Sequence, residues 1–286
     1  MNHRPGFTGS PLDRADHLRL DEKKIANMAA DSRARLLGLS GLDPVLDEGG
    51  RLVWSEVTGE GDLLFLGVHE EVPHFAPLPQ IEPGQRAWSV FNLLSLMSPE
   101  DAATWGTART LIEWHNRHRF CSNCGKQTAL FRAGWGRKCG GCSAEHYPRV
   151  DPVVIMLAEF EGKVLLARQH QYPTGRFSAL AGFVEPGESI EEAVMRELQE
   201  EAALAVTNVR YVASQPWPFP GSLMIACIAD AATQEITLDE TELQDAMWVS
   251  REDVAAALAG SPSAPFLAPP PFAIAHTLLL HWLDGR

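Results

Sequence analysis

Long hydrophobic runs are missing from this sequence. None of its 286 residues fall in an apolar stretch of roughly eighteen, the length a helix needs to cross a bilayer. The opening segment, MNHRPGFTGSPLDRADHLRLDEKK, is polar and lacks the apolar core of a secretory signal. The closing Asp-Gly-Arg is not a peroxisomal address. These absences lead to the expectation of a cytoplasmic protein with no membrane partner. Cysteine is also sparse, at five residues. Positive charge is scarce in the second half. Residues 151–286 carry 7 Lys or Arg against 19 Asp or Glu, whereas residues 1–150 carry 17 against 18. An acidic half of this kind argues against a general nucleic-acid surface and suits a site that collects divalent cations.

The length suggests more than one folding unit. Residues 1 to about 30 are polar, are broken by Pro5, Gly9 and Pro11, and read as loose. From Ala34 to Pro77 the pieces RLVWSEV and DLLFLGV, parted by Gly59 and Gly61, predict a hairpin-rich β domain. Ser98-Pro99-Glu100-Asp101 is a helix start, and that helix should run to about His118 with His115 and His118 as packing residues. Cys121 and Cys124, then fourteen residues, then Cys139 and Cys142, form two knuckles. Four thiolates in this pattern fit a closed, structural tetrahedral Zn²⁺ site. A pair of disulfides is the alternative, and it would need an oxidising compartment. The seven basic residues between His115 and Arg149 face Glu145 alone and read more simply as the soluble shell of a small metal module than as a phosphate patch.

After Tyr147-Pro148 the predicted strands are Val153–Leu157, Val164–Arg168, Phe177–Gly182, Val209–Ser214, Leu223–Ala229, Glu235–Leu238 and Ala246–Val249. Arg251–Leu258 and Phe272–Leu283 read as helices, the run 261–271 as a loop, and Cys227 as a core residue. The most informative stretch is Gly182 to Leu204. Ser189 and Glu192 form a capping box, so a helix should start at Ile190 and bury Ile190, Ala193, Val194 and Leu198. Glu197, Glu200 and Glu201 then crowd one helical face, where like charges repel and a hard divalent cation with oxygen ligands would relieve them.

Gly182, five residues, Glu188, seven residues, then Arg196-Glu197-Leu198-Gln199-Glu200-Glu201 resembles the signature of the Nudix hydrolases. The usual closing Gly is Ala203 here, at the helix exit. The segment SQPWPFPGS at 214–222, together with the four-cysteine ribbon and Tyr147-Pro148, resembles the NADH pyrophosphatases of that superfamily. The resemblance implies an α+β chain: a β-rich domain (1–118), a zinc ribbon (119–150) and a Nudix αβα sandwich (151–286). It implies hydrolysis of the diphosphate of NADH or NAD⁺ to AMP and nicotinamide mononucleotide, removal of NAD caps from RNA, and a homodimer. It places Mg²⁺ or Mn²⁺ on Glu197, Glu200, Glu201, Glu242 and the Ala181 carbonyl, with Glu200 or Glu201 as the base. It lines the substrate site with Tyr147, Gln215, Pro216, Trp217, Pro218, Phe219, Pro220, Gly221, Ser222 and Ala275. Arg196 would pair with Glu188. Gly134 and Asn92 depart from the pattern, where relatives tend to carry Glu and Arg. Two other readings stay open: a Nudix hydrolase of ADP-ribose or dinucleoside polyphosphates, and a zinc-ribbon regulator with an inactive Nudix domain.

Overall fold

The computed structural model describes residues 3–58, 61–81 and 90–285. Gly59 and Arg286, which entered the sequence reading, lie outside them. The chain divides into two compact units, one of residues 7–150 and 217–221, the other of residues 1–6, 151–216 and 222–286. Among the described residues no helix is long and apolar enough to cross a membrane.

The first unit begins with more order than its composition suggests. A 3-10 turn at Asp16–Leu18 precedes helix α1 (Glu22–Ala29), whose N-terminus is capped by the Asp21 carboxylate accepting from Lys24 N–H. The expectation of a loose segment is corrected here: one capping aspartate, masked by the surrounding polarity, starts a helix. Strands β1 (Arg35–Leu37), β4 (Trp54–Glu56), β5 (Leu63–His69) and β6 (Val72–Pro77) form a sheet in the order β4-β1-β6-β5. β2 (Leu39–Ser40) and β3 (Asp43–Pro44) make a separate short hairpin. The β5–β6 hairpin turns through Glu70 and Glu71, both with positive φ, as a two-residue turn requires.

Helix α2 (Val90–Leu94) precedes α3 (Pro99–Arg117). Ser98 caps α3, accepting from Asp101 N–H, and Pro99 occupies its first turn. The ribbon follows as β7 (Thr128–Phe131), β8 (Gly136–Cys139) and β9 (Glu145–His146). His115 of α3 is buried: its Nε2 faces the Gly134 carbonyl at 2.8 Å and its Nδ1 faces Arg137 Nη1 at 3.0 Å. An arginine can only donate, so Nδ1 accepts and Nε2 carries the proton, which makes the ring neutral. Burial pushes its pKa from 6.5 down to about 4. The unfolded chain therefore takes up this proton first, and the stability His115 provides is complete above pH 6.5 and falls as the pH drops toward 4. Denaturant unfolding of a His115→Gln variant should lack that component, a difference on the order of 3 kcal/mol in the pH dependence between those limits.

The second unit is built on a mixed sheet of β10 (Asp151–Phe160), β11 (Lys163–Gln169), β12 (Leu180–Phe183), β13 (Val206–Trp217), β14 (Ser222–Ala231) and β15 (Leu243–Ser250). The order is β13-β14-β10-β11-β15, with β12 sharing one edge of β10. Alternation along β10 sorts the core into two layers. Val154, Met156 and Ala158 pack with Ala193, Val194 and Leu198 of α4 (Ile190–Ala202). Ile155 and Leu157 pack with Val254 of α5 (Arg251–Leu258) and with Ile274, Leu278 and Trp282 of α6 (Ile274–Leu283). This is an αβα sandwich. Cys227 is buried in the α4 layer.

Two predicted strands are corrected. Glu235–Leu238 is irregular, because Thr237 N–H and Asp239 N–H donate to the Ala202 and Glu201 carbonyls at the open end of α4 instead of to a neighbouring strand. β13 runs beyond the predicted end at Ser214, through Gln215 and Pro216 to Trp217. It is an edge strand, the place in a sheet where proline is tolerated.

Ala203 ends α4 at φ 53°, ψ 33°, with its own N–H and that of Leu204 donating to Gln199 and Leu198 carbonyls. This is a left-handed helix exit of the kind glycine favours. Ala203→Gly should raise unfolding stability by roughly 0.5–1 kcal/mol, measured by denaturant titration, because an L-residue in this conformation costs about 1–2 kcal/mol and glycine gives back part of that as chain entropy.

Candidate active site

The turn between β12 and α4 sets the geometry. Glu188 accepts Glu185 N–H at 2.9 Å and takes both arms of Arg196, Nε at 2.6 Å and Nη2 at 2.9 Å. These bonds hold the Glu188 carboxyl down to about 2. Arg196 also donates Nη2 to the Phe183 carbonyl, and Nη1 to Glu197 at 2.8 Å and to Glu200 at 2.9 Å. One guanidinium thus ties the turn, the strand end and two carboxylates of α4 together, extending the Glu188 pairing expected from sequence.

Glu197 and Glu201 are buried on the inner side of α4, and Glu200 is exposed. A Cβ on Gly182 would sit 1.9 Å from Glu197 Cδ, so only glycine lets the carboxylate reach the strand beside Ala181. Glu201 is 3% exposed, and its Oε2 is buried with no hydrogen-bond partner among the described residues. Burial, together with the charges of Glu197, Glu242, Asp239 and Glu200, pushes its carboxyl up to about 8. The 235–239 segment, anchored on the end of α4, delivers Asp239 and the exposed Glu242 to this group. An orphaned carboxylate oxygen among further carboxylates is the environment a divalent cation completes. The structure therefore brings Ala181, Glu197, Glu200, Glu201 and Glu242 into one region. Among the described residues a cysteine set also comes together, its ligand atoms all within 4.8 Å of one another.

That set is Cys121, Cys124, Cys139 and Cys142. Its sulfurs pair at 3.6 Å (Cys121–Cys142) and 3.5 Å (Cys124–Cys139), and all four thiols are free. Those separations rule out the disulfide alternative in this structure and match four thiolates arranged around a tetrahedral ion. Asn123 N–H donates to Cys121 Sγ and Gly141 N–H to Cys139 Sγ, and the backbone N–H groups of Cys142 and Gly141 hold the Cys139 thiol below the ordinary range. His146 Nε2 lies 3.3 Å from Cys121 Sγ. Sequence reasoning missed this histidine, although its place just beyond the second knuckle was a usable signal.

The residues expected to line the substrate site fall in both units. In the first, Tyr147 is exposed and donates its hydroxyl to Glu145 at 2.7 Å. Trp217 and Phe219 are half-buried and join an aromatic group with Phe7, Phe91 and Trp105. Arg109 Nε donates to the Pro218 carbonyl at 2.8 Å, and its guanidinium lies 4.8 Å from the Phe219 ring centroid. Pro218 is buried, Pro220 and Gly221 are half-buried, and a Cβ on Gly221 would come within 3.0 Å of Thr110. Phe7, Phe91 and Arg109, which fix this loop, carried no signal of their own in the sequence. In the second unit Gln215 is fully buried, with Nε2 donating to the Phe272 carbonyl at 3.2 Å and Oε1 unpartnered. Pro216 is exposed, while Ser222 and Ala275 are buried. Phe183, which sequence reasoning did not single out, is 61% exposed beside the carboxylates.

The two departures differ in kind. Gly134 has φ 93° and its Cβ would lie 2.5 Å from a Leu64 methyl, so no side chain fits there. Asn92 is exposed on α2, and nothing in the structure explains the choice.

Comparison with known proteins matches residues 148–268 to the NUDIX domain and residues 116–147 to the NADH pyrophosphatase zinc ribbon domain. The chain is 33% identical to the NAD-capped RNA hydrolase NudC of Mycobacterium bovis over 296 residues, covering 94% of this chain and 92% of that protein. It is 39% identical to the mitochondrial NAD(P)H pyrophosphatase NUDT13 of Mus musculus over 267 residues, 88% of this chain and 76% of that one. It is 45% identical to the NAD-capped RNA hydrolase NUDT12 of Homo sapiens over 197 residues, 65% of this chain, and spans only 43% of that longer relative.

Proposed function

Because this chain belongs to the Nudix family whose members carry an NADH pyrophosphatase zinc ribbon, we propose that it hydrolyses the diphosphate of NADH and NAD⁺ to AMP and nicotinamide mononucleotide, and removes NAD caps from RNA 5′ ends. The observation that carries this reading is the buried, partnerless Glu201 Oε2 set among Glu197, Glu200 and Glu242. Glu197, Glu200, Glu201, Glu242 and the Ala181 carbonyl would hold Mg²⁺ or Mn²⁺, which when bound neutralises charge on the bridging phosphates. Glu201 or Glu200 accepts the proton of the attacking water, a role its carboxylate can fill only within hydrogen-bond reach of that water. Arg196 keeps Glu197 and Glu200 in place and fixes the turn through Glu188. The family resemblance assigns Tyr147, Gln215, Pro216, Trp217, Pro218, Phe219, Pro220, Gly221, Ser222 and Ala275 to dinucleotide binding. A cytoplasmic homodimer is part of the same reading.

Incubation with Mg²⁺ or Mn²⁺ and NADH, NAD⁺, ADP-ribose, dinucleoside polyphosphate or NAD-capped RNA, followed by product chromatography, tests it. AMP should be released from NADH. Turnover of ADP-ribose with none of NADH would overturn the substrate, and no turnover of any compound would favour a regulator. The Phe183 ring is 61% exposed, and stacking on a planar base is the role this reading gives it. Phe183→Ala should raise KM for NADH by about 5- to 100-fold, a loss of roughly 1–3 kcal/mol, the size of one base–aromatic stack, with a smaller change in kcat.

A further inference from the structure

The first unit holds a cavity of about 330 Å³ between α1, the start of β5 and the Arg132–Gly134 turn, and it contains none of the residues assigned to the diphosphate reaction. Its wall has three chemistries. The first is cationic. Arg19 is only 7% exposed, and its guanidinium lies 3.8 Å from the Trp135 ring centroid. It donates to the Arg14 carbonyl at 2.9 Å and to Asp16 at 3.3 Å, while its Nε is buried with no partner among the described residues. Arg132 lines the same cavity and donates to the same Asp16 oxygen at 2.6 Å. One exposed carboxylate thus serves two guanidiniums, and burial holds Arg19 down to about 10. A buried, under-compensated cation gains from a second anion.

The second chemistry is apolar: the half-buried Ile25, Leu63 and Phe131 offer a surface for a flat ring, backed by the fully buried Phe75. The third is the exposed pair Glu22 and Asp62, acceptors for hydroxyl or amino groups. A ligand meeting all three carries a compact anion, a planar apolar ring and several neutral donors. At the small end of ligand cavities, this one suits a single nucleotide and not a dinucleotide.

We propose that this cavity binds a free nucleoside monophosphate, with its phosphate against Arg19 and Arg132, its base on the Leu63–Phe131 side and its ribose hydroxyls toward Glu22 and Asp62. The assignment comes from the lining alone and does not depend on the proposed hydrolysis.

Isothermal titration of the full-length protein with AMP, adenosine and inorganic phosphate, without added divalent ion, tests it. AMP should bind more tightly than either fragment. Ala26 is exposed on α1 and lines the cavity, so Ala26→Trp fills the space without removing a buried partner, and should weaken AMP by at least roughly tenfold. Arg132→Gln should erase the advantage of AMP over adenosine and leave adenosine unchanged. Absence of AMP binding to the folded wild type would overturn the proposal. So would equal binding by Ala26→Trp, which places the nucleotide elsewhere, or phosphate binding as tightly as AMP, which makes this a simple anion site.

Discussion

Glu201→Gln should abolish most turnover while leaving the fold intact. The expected fall in kcat is roughly 10²–10⁴-fold, the range for losing a positioned proton acceptor. The argument for this residue over its neighbours is its environment. Glu201 is 3% exposed, its Oε2 meets no donor among the described residues, and burial together with four other acids raises its carboxyl. A group so placed is costly to the folded chain unless something else uses it. Glutamine keeps the shape and removes the charge. The metal-free variant should therefore melt at the same temperature as the wild type or above it. Added Mn²⁺ should stabilise the wild type by mass action and the variant much less. Kinetics and thermal melts with and without Mn²⁺ read both effects. A variant with full activity, or one stabilised by Mn²⁺ as much as the wild type, would remove Glu201 from the site.

That residue also shows what the sequence could and could not disclose. Spacing put Glu197, Glu200 and Glu201 on one helical face, and the capping box put the helix start at Ile190, where it lies. Helical periodicity alone could not distinguish the exposed Glu200 from the buried Glu201. That difference arises from the 235–239 segment folding over the end of α4, the same segment that alternation had suggested was a strand. Its backbone chose the open carbonyls of the helix over a sheet edge, a tertiary choice with no local signature. The end of β13 was placed too early, at Ser214, for a related reason. A proline argues against a central strand, but only topology shows that β13 is at the edge. The glycines were more legible. Gly182 was needed because Glu197 must pass close to the strand, and the motif spacing already singled it out. The aromatic loop was legible in composition but not in surroundings: Phe7, Phe91 and Arg109, far away in the chain, hold Trp217 and Phe219.

Withdrawal of zinc should be the most destabilising treatment of the first unit. The ribbon has only three short strands and little apolar core of its own, yet it provides Trp135, whose indole donates to the Phe65 carbonyl at 2.7 Å, and the Gly134 and Arg137 partners of buried His115. Without the ion, four sulfurs within 4.8 Å of one another lose their common partner as they ionise. The binding free energy of structural zinc, about 10–16 kcal/mol in isolated fingers, is as large as the whole stability of a typical domain, about 5–15 kcal/mol. A tight zinc chelator, or Cys139→Ser, should therefore unfold the ribbon and lower the melting transition of the first unit sharply. The αβα unit has its own two-layer core and should melt separately and much nearer its original temperature. Metal analysis should find one zinc per chain before treatment and none after. Calorimetry that showed one unshifted transition in zinc-free protein would mean that the cysteines are not holding this unit together.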